Sequence, residues 1–218
     1  AVKERETLLR EVYHRVKNNL QVIQSLLRLQ RRAVRDPAAQ QALDESASRV
    51  RAMSLVHERL YQSGSLEAVA LRDYTQELLA YLGESTGANA AGIRLEAQVV
   101  EARARLEAAI PYGLLVNELV SNSIKHGFAA GAPGRVQLSV DHAGKGLRLT
   151  LRDNGTGLPD GFDLDLDASM GLQLASSLTA QLGGRLRAHN DGGSVFIAEM
   201  PVFDRSTPTW PPSPMQSP

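Results

Sequence analysis

The first third of the chain is patterned for helices. From about Glu4 to Arg35 there is neither Gly nor Pro, and apolar residues recur at Leu9, Val12, Val16, Leu20, Ile23 and Leu27. Spacings of three and four gather them on one stripe of a single long helix. Asp36-Pro37 ends it, because the residue before a proline is pushed out of the helical region. Leu43, Val50, Met53, Val56 and Leu60 then predict a second helix from about Ala38 to Tyr61. Two long helices and a short turn make an antiparallel hairpin. Such a hairpin has no third layer to cover its stripes, so a homodimer closed as a four-helix bundle is expected.

After Ser63-Gly64-Ser65 the texture changes to shorter elements, which places a domain boundary there: 1–63 for the hairpin, 64–203 for a second domain. Leu71 to Glu84 reads as helix, Ile93 to Val99 as strand and Ile110 to His126 as helix. Val136 to Val140 and Leu147 to Arg152 read as a strand pair. Met170 to Leu182 is helical, stopped by Gly183-Gly184, and Arg185 to His189 and Ser194 to Met200 flank the turn Asn190-Asp191-Gly192-Gly193. The fold class is therefore α+β, with a mixed, mostly antiparallel sheet covered by helices on one face. Residues 204–218 are rich in Pro and Ser and are expected to be disordered.

Composition excludes several classes. The 24 basic and 24 acidic residues cancel, which argues against nucleic acid or an anionic membrane as partner. There is no cysteine, hence no disulfide or thiolate metal site, and a cytoplasmic location fits. No apolar run reaches the roughly 20 residues that cross a bilayer. The chain opens at Ala1 rather than Met, with helix pattern already running, so a longer protein with a sensor domain upstream is expected.

Four residue sets carry candidate chemistry. On the first helix, Tyr13-His14-Arg15-Val16-Lys17-Asn18 puts His14 on the flank away from the apolar stripe. A wet imidazole with a pKa near 6.5 is largely neutral at pH 7 and keeps a nucleophilic lone pair. Glu11 and Asn18 lie three and four residues away, close enough for either to fix the ring tautomer, while Arg15 and Lys17 favour an arriving phosphoryl group. An ordinary solvated histidine has the same local pattern. In the second set, Asn117 to His126, helical spacing puts Glu118, Asn122 and Lys125-His126 in one column. An amide oxygen suits Mg²⁺ and a lysine suits phosphate, although a polar solvated face reads equally well.

Third, Asp153-Asn154-Gly155-Thr156-Gly157 follows a strand, where a carboxylate accepts from an exocyclic amine and glycines lie against a flat ring; a plain strand-exit turn is the alternative. Fourth, Ser169-Met170-Gly171-Leu172 opens a helix, where free N–H groups attract phosphate. The aspartate-rich stretch between Pro159 and Ser169 reads as a flap over a nucleotide or a solvated loop.

In this order the four sets resemble the sensor histidine kinases, in the subclass with an H-R-x-K-N phosphoacceptor box related to the HWE group. The resemblance covers about Leu8 to Pro201. The last three sets are similar to the N box and glycine boxes of the GHKL, or Bergerat-type, ATP-binding fold. The resemblance implies His14 as phosphoacceptor, Asn122 as Mg²⁺ ligand and Lys125 as phosphate contact, with His126 and Met170 beside the nucleotide. It also implies Asp153 as adenine reader, Gly155 and Gly157 lining the base, and Gly171 with Leu172 at the phosphates. Glu118 falls where GHKL hydrolases keep a general base, a position often held by Asn in kinases. Tyr13 stands where relatives often have a second His, which leaves His14 as the acceptor in the box. The orthodox phenylalanine box is not apparent, as in relatives with a short lid.

The expected chemistry is attack of His14 on the γ-phosphorus of Mg²⁺-ATP, then transfer to an aspartate of a response-regulator receiver domain. Two rivals stand beside it: an ATPase with Glu118 activating water, which leaves His14 and the hairpin unexplained, and a non-enzymatic dimerising scaffold or phosphotransfer protein with a decayed nucleotide site.

Overall fold

In a computed structural model, which describes residues 2–62, 68–129 and 132–203, helix α1 (Val2–Ala33) and helix α2 (Pro37–Gln62) form the expected hairpin. Asp36 caps α2, its carboxylate accepting from the Ala39 N–H at 3.0 Å, with Pro37 in the first helical position where its missing N–H costs nothing. Arg31 and Asp44 pair across the hairpin at 2.6 Å.

The apolar stripes are not used as the sequence suggested. Val16, Leu20 and Leu27 are half-buried against α2, but Val12 is 53% and Ile23 43% exposed, alongside exposed Val22, Leu26 and Leu29. One neighbouring helix covers only one side of α1, and the rest of the stripe stays wet. The missing third layer is supplied to α2 alone, by the second domain. Ala52, Leu55, Val56 and Leu60 are fully buried there, and the Tyr74 hydroxyl donates to the Ala52 carbonyl at 3.0 Å.

That domain begins with β1 (Val69–Ala70), which pairs with β3 (Arg103–Ala104), a two-residue ladder too short to be read from sequence. Helix α3 (Leu71–Ser85) follows β1. The main sheet has five strands: β2 (Ile93–Val99), β4 (Gly134–Ala143), β5 (Gly146–Asp153), β6 (Leu186–Asn190) and β7 (Ser194–Met200), in the order β2-β4-β5-β7-β6. Pairing is antiparallel except between β2 and β4. Alternation sends Val136, Leu138, Val140, Leu149 and Leu151 to the buried face. The other face carries Arg94, Glu96, Gln137, Arg148 and Arg152, with the pair Arg148–Glu199 at 3.3 Å.

Helix α4 (Leu106–His126) lies on the buried face beside α3 and α5 (Met170–Gln181). It starts four residues before the expected Ile110, because Ala108 and Ala109 are themselves buried and Pro111 is tolerated early in the helix. Around it Leu115, Leu119 and Val120 face the core with no exposure. The expected hinge at Ser63 to Ser65 and the 204–218 tail lie outside the described residues. Among the described residues, no helix is long and apolar enough to cross a membrane.

Candidate active site

The C-terminal half of α4 meets the N-terminus of α5 along a cleft of about 1000 Å³. Glu118, Asn122, Lys125 and His126 line one wall, Ser169, Met170 and Gly171 another, and Arg28, Arg31, Glu45 and Ser48 of the hairpin the third. Six of the residues singled out by sequence thus share the cleft with Gly171. Ser169 caps α5 by accepting from the Leu172 N–H, and the free N–H groups of that first turn open toward α4. Gly171 lies close against α4: a Cβ there would lie 3.0 Å from Glu118 Oε2, which would have to give by a few tenths of an ångström. Leu172 is buried beneath α5 and packs in the core.

Asp153, at the end of β5, sits behind the cleft and is 5% exposed. Its Oδ1 accepts from the backbone N–H of Gly155 (3.0 Å) and of Ser194 (3.1 Å). Its Oδ2 accepts from the hydroxyls of Ser123 (2.8 Å) and Ser194. Four donors match the four lone-pair directions of a carboxylate. The glycines after Asp153 serve the loop's packing: a Cβ on Gly155 would fall 2.0 Å from the Gly127 carbonyl, and Gly157 has φ +80°. Asn190, read from sequence as a turn residue, clamps this loop by accepting from Leu158 N–H at 2.7 Å and donating to Leu158 C=O at 2.9 Å. Ser123, Ser194 and Asn190 were missed because nothing local marks them. They matter only because α4, β6 and β7 converge on one loop.

The aspartate-rich stretch is knitted to itself. Asp163 accepts from the Asp165 N–H, Asp167 accepts from the Asp163 N–H, and Asp165 pairs with Arg185. Phe162, Leu164 and Ala168 pack on the core, and Leu166 stays exposed. This is an anchored loop beside Ser169 rather than a loose flap.

On α1, His14 and Asn18 are exposed and Lys17 is half-buried. The Asn18 amide stands 3.3 Å from His14 Nδ1, whereas Glu11 pairs with Arg15 at 2.6 Å. Of the two carriers proposed for the tautomer, Asn18 is the one placed against Nδ1. His14 does not line the cleft. The nearest cleft residue on α1 is Arg28, fourteen positions on, or about 21 Å along the axis at 1.5 Å per residue.

The column on α4 is instead occupied by α2. Arg49 donates from Nε and Nη2 to the two oxygens of Glu118, both at 2.9 Å, and Glu118 is 6% exposed. Asn117 donates to Glu118 Oε1 and accepts from the Ser48 hydroxyl at 2.6 Å. Lys125 pairs with Glu45 at 2.8 Å. Burial pushes the Glu45 carboxyl up, but the hydrogen bonds and charges of Lys125, Gln41 and Arg49 outweigh it and hold the group below its ordinary value. The Arg49 guanidinium is raised, chiefly by its hydrogen bonds to Glu118.

Two family models match the chain. A model described as "Histidine kinase" matches residues 11–86, taking in α1, α2 and α3. One described as "Histidine kinase-, DNA gyrase B-, and HSP90-like ATPase" matches residues 108–204. The sensor histidine kinase PdtaS of Mycolicibacterium smegmatis is 33% identical over 94% of this chain and 42% of its own length. The blue-light-activated histidine kinase 2 of Erythrobacter litoralis is 30% identical over 94% of this chain and 60% of its own. The chain thus spans roughly two fifths to three fifths of these curated relatives. The solved histidine kinase domain of a blue-light-activated histidine kinase from Erythrobacter litoralis shares the fold, with a TM-score of 0.67 at 24% identity over 89% of this chain and 95% of that one. With one kinase model on its helical segment and the related ATPase model on its sandwich, together taking in most of its length, the chain belongs to the histidine kinases.

Proposed function

We propose that this chain is the catalytic core of a cytoplasmic sensor histidine kinase, which moves the γ-phosphoryl group of ATP to His14 and on to an aspartate of a response-regulator receiver domain. One observation carries the reading. Asn122, Lys125 and the amide-rich start of α5 converge on one cleft, in a chain that also presents an exposed, amide-partnered histidine on a separate helix. A hydrolase has no use for the second feature.

ATP enters with its phosphates toward Lys125 and the N–H groups of Met170 and Gly171, where charge and helix dipole favour anions. The adenine lies toward Asp153, whose carboxylate accepts the exocyclic amine once one of its two serine hydroxyls turns away. The donor set fits Mg²⁺: the Asn122 amide oxygen lies beside a phosphate site, and there is no cluster of three or more His, Asp or Glu among the described residues. That is the sparse protein ligation this ion accepts. When bound, Mg²⁺ neutralises phosphate charge that would repel a nucleophile.

The Asn18 amide nitrogen stands nearest His14 Nδ1; with the amide flipped so that its oxygen faces the ring, it takes the Nδ1–H and leaves a lone pair on Nε2. Nε2 then attacks the γ-phosphorus. The N–P bond forms, the bond to the β,γ-bridging oxygen breaks, ADP leaves with that electron pair, and the Nδ1 proton passes to solvent from the exposed flank. Positioning supplies most of the rate. Since Arg28 rather than His14 faces the cleft, either the hairpin and the sandwich shift before transfer within one chain, or the cleft receives His14 of a second copy.

We place a second copy of the chain on the exposed stripe of α1, and a sensor domain upstream of it. The test is incubation with γ-labelled ATP and Mg²⁺. Wild type acquires an acid-labile, base-stable label that His14→Ala loses while still binding ATP, and that Asn122→Ala loses with the Mg²⁺ dependence. Labelling retained in His14→Ala refutes the acceptor.

A further inference from the structure

The contacts between α2 and α4 take Lys125, the phosphate contact of the proposed reaction, together with two residues on the same helix that flank the Asn122 turn. Three residues on one face of α2, Glu45, Ser48 and Arg49, meet Lys125, Asn117 and Glu118. Arg49 also lies 3.8 Å from Glu45, so the charges alternate along a ladder: Lys125, Glu45, Arg49, Glu118. The ladder is half-sheltered, its four side chains being 6–31% exposed, and solvent screens it less than a surface pair. Lys125 donates to Glu45 where it would meet a phosphate. Glu118 has both oxygens in a fork of guanidinium N–H groups, and a carboxylate so held is no base and no ligand. In the same arrangement His14 is about four helical turns from the cleft, measured along α1 to Arg28.

We propose that Glu45, Ser48 and Arg49 form a clasp in which Glu45 competes with Mg²⁺-ATP for Lys125 while Ser48 and Arg49 fasten α2 to Asn117 and Glu118 of the same helix, holding the kinase at rest until the clasp opens. The inference rests on the nucleotide site proposed above. It explains why an Arg, an acid and a hydroxyl on a dimerisation hairpin are spaced to reach an ATP-binding helix in another domain. It also makes nucleotide affinity and hairpin release one linked equilibrium: whatever detaches α2 raises affinity for ATP, and ATP favours detachment by the same factor. Detachment is not free, because Ala52, Leu55 and Val56 are buried on the same side of α2. An upstream signal that strains α1 and α2 has a defined load to overcome.

Glu45→Gln is the decisive variant. It is isosteric, lies on a half-exposed surface, and removes the charge that holds Lys125 without touching a nucleotide group. ATP affinity in the presence of Mg²⁺, by calorimetry, should tighten about two- to five-fold, the range for one partly exposed ion pair. The initial rate of phosphohistidine formation should rise with it. A contact that only supports the fold predicts the reverse, unchanged or weaker ATP binding and slower labelling. If Glu45→Gln binds ATP no more tightly than wild type, the clasp is wrong, even where His14 is labelled normally. If affinity tightens but neither the variant nor wild type forms phosphohistidine, the clasp stands and the proposed phosphotransfer falls.

Discussion

Asp153 separates a structural role from a recognition role within one carboxylate. Truncation to Ala removes the acceptor of four donors. The two serine hydroxyls can rotate to other partners, but the backbone N–H groups of Gly155 and Ser194 cannot. Two unpaired buried donors at about 1–3 kcal/mol each give a loss of about 2–6 kcal/mol. At about 2–4 °C per kcal/mol for a chain of this size, the melting point should fall by about 5–20 °C. Asp153→Asn behaves differently. Its oxygen can face the two N–H groups and its NH₂ the two hydroxyls, which turn to accept. Only charge assistance is lost, about 1–2 kcal/mol. Yet the edge that must accept the adenine amine now donates, so ATP affinity should drop by at least about tenfold, equivalent to about 1.4 kcal/mol. The same reversal suits the guanine carbonyl, and discrimination against GTP should shrink. Circular dichroism melts and calorimetric titration with both nucleotides read the two effects separately. Wild-type ATP affinity in Asp153→Asn refutes the adenine role, and a wild-type melting point in Asp153→Ala refutes the hydrogen-bond argument.

Further expectations follow from packing and charge. A Cβ on Gly113 would fall 1.6 Å from the Tyr74 hydroxyl, which itself bonds Ala52, so Gly113→Ala should destabilise by about 1–3 kcal/mol in urea melts and loosen α2 from α3. Burial lowers the His57 pKa, so the unfolded chain binds the extra proton. Stability should therefore be intact above the unfolded value of about 6.5 and fall as pH drops below it, by at most about 1.4 kcal/mol per unit. The difference in slope between wild type and His57→Gln in melts from pH 7.5 to 5.5 isolates it. Leu26→Lys, on the exposed stripe of α1, should lower self-association in analytical ultracentrifugation without changing the melt of the monomer.

The helices and strands were legible because each obeys a local rule. The Gly- and Pro-free run with apolar residues three and four apart dictates α1, Asp36-Pro37 supplies both a stop and a cap, and period-two alternation draws β4 and β5. The chemistry was legible for the same reason. Glu118, Asn122 and Lys125 stand one turn apart on α4, and Asp153 and Ser169 mark the ends of their elements, where a donor or acceptor is left over. Spacing along one helix or turn fixes which residue types are offered together, whatever the rest of the fold does.

Tertiary structure decided which offers were taken. Sequence put Val12 and Ile23 on an apolar face, but only packing showed that α3 and α4 cover α2 and leave that face of α1 exposed. Sequence aligned Glu118 with nucleotide groups, but only the docking of α2 gave it to Arg49. Ser123 and Ser194 are 71 positions apart and meet only on Asp153. Contacts of that kind depend on which surfaces find each other after the local elements exist, and no periodicity along the chain encodes them.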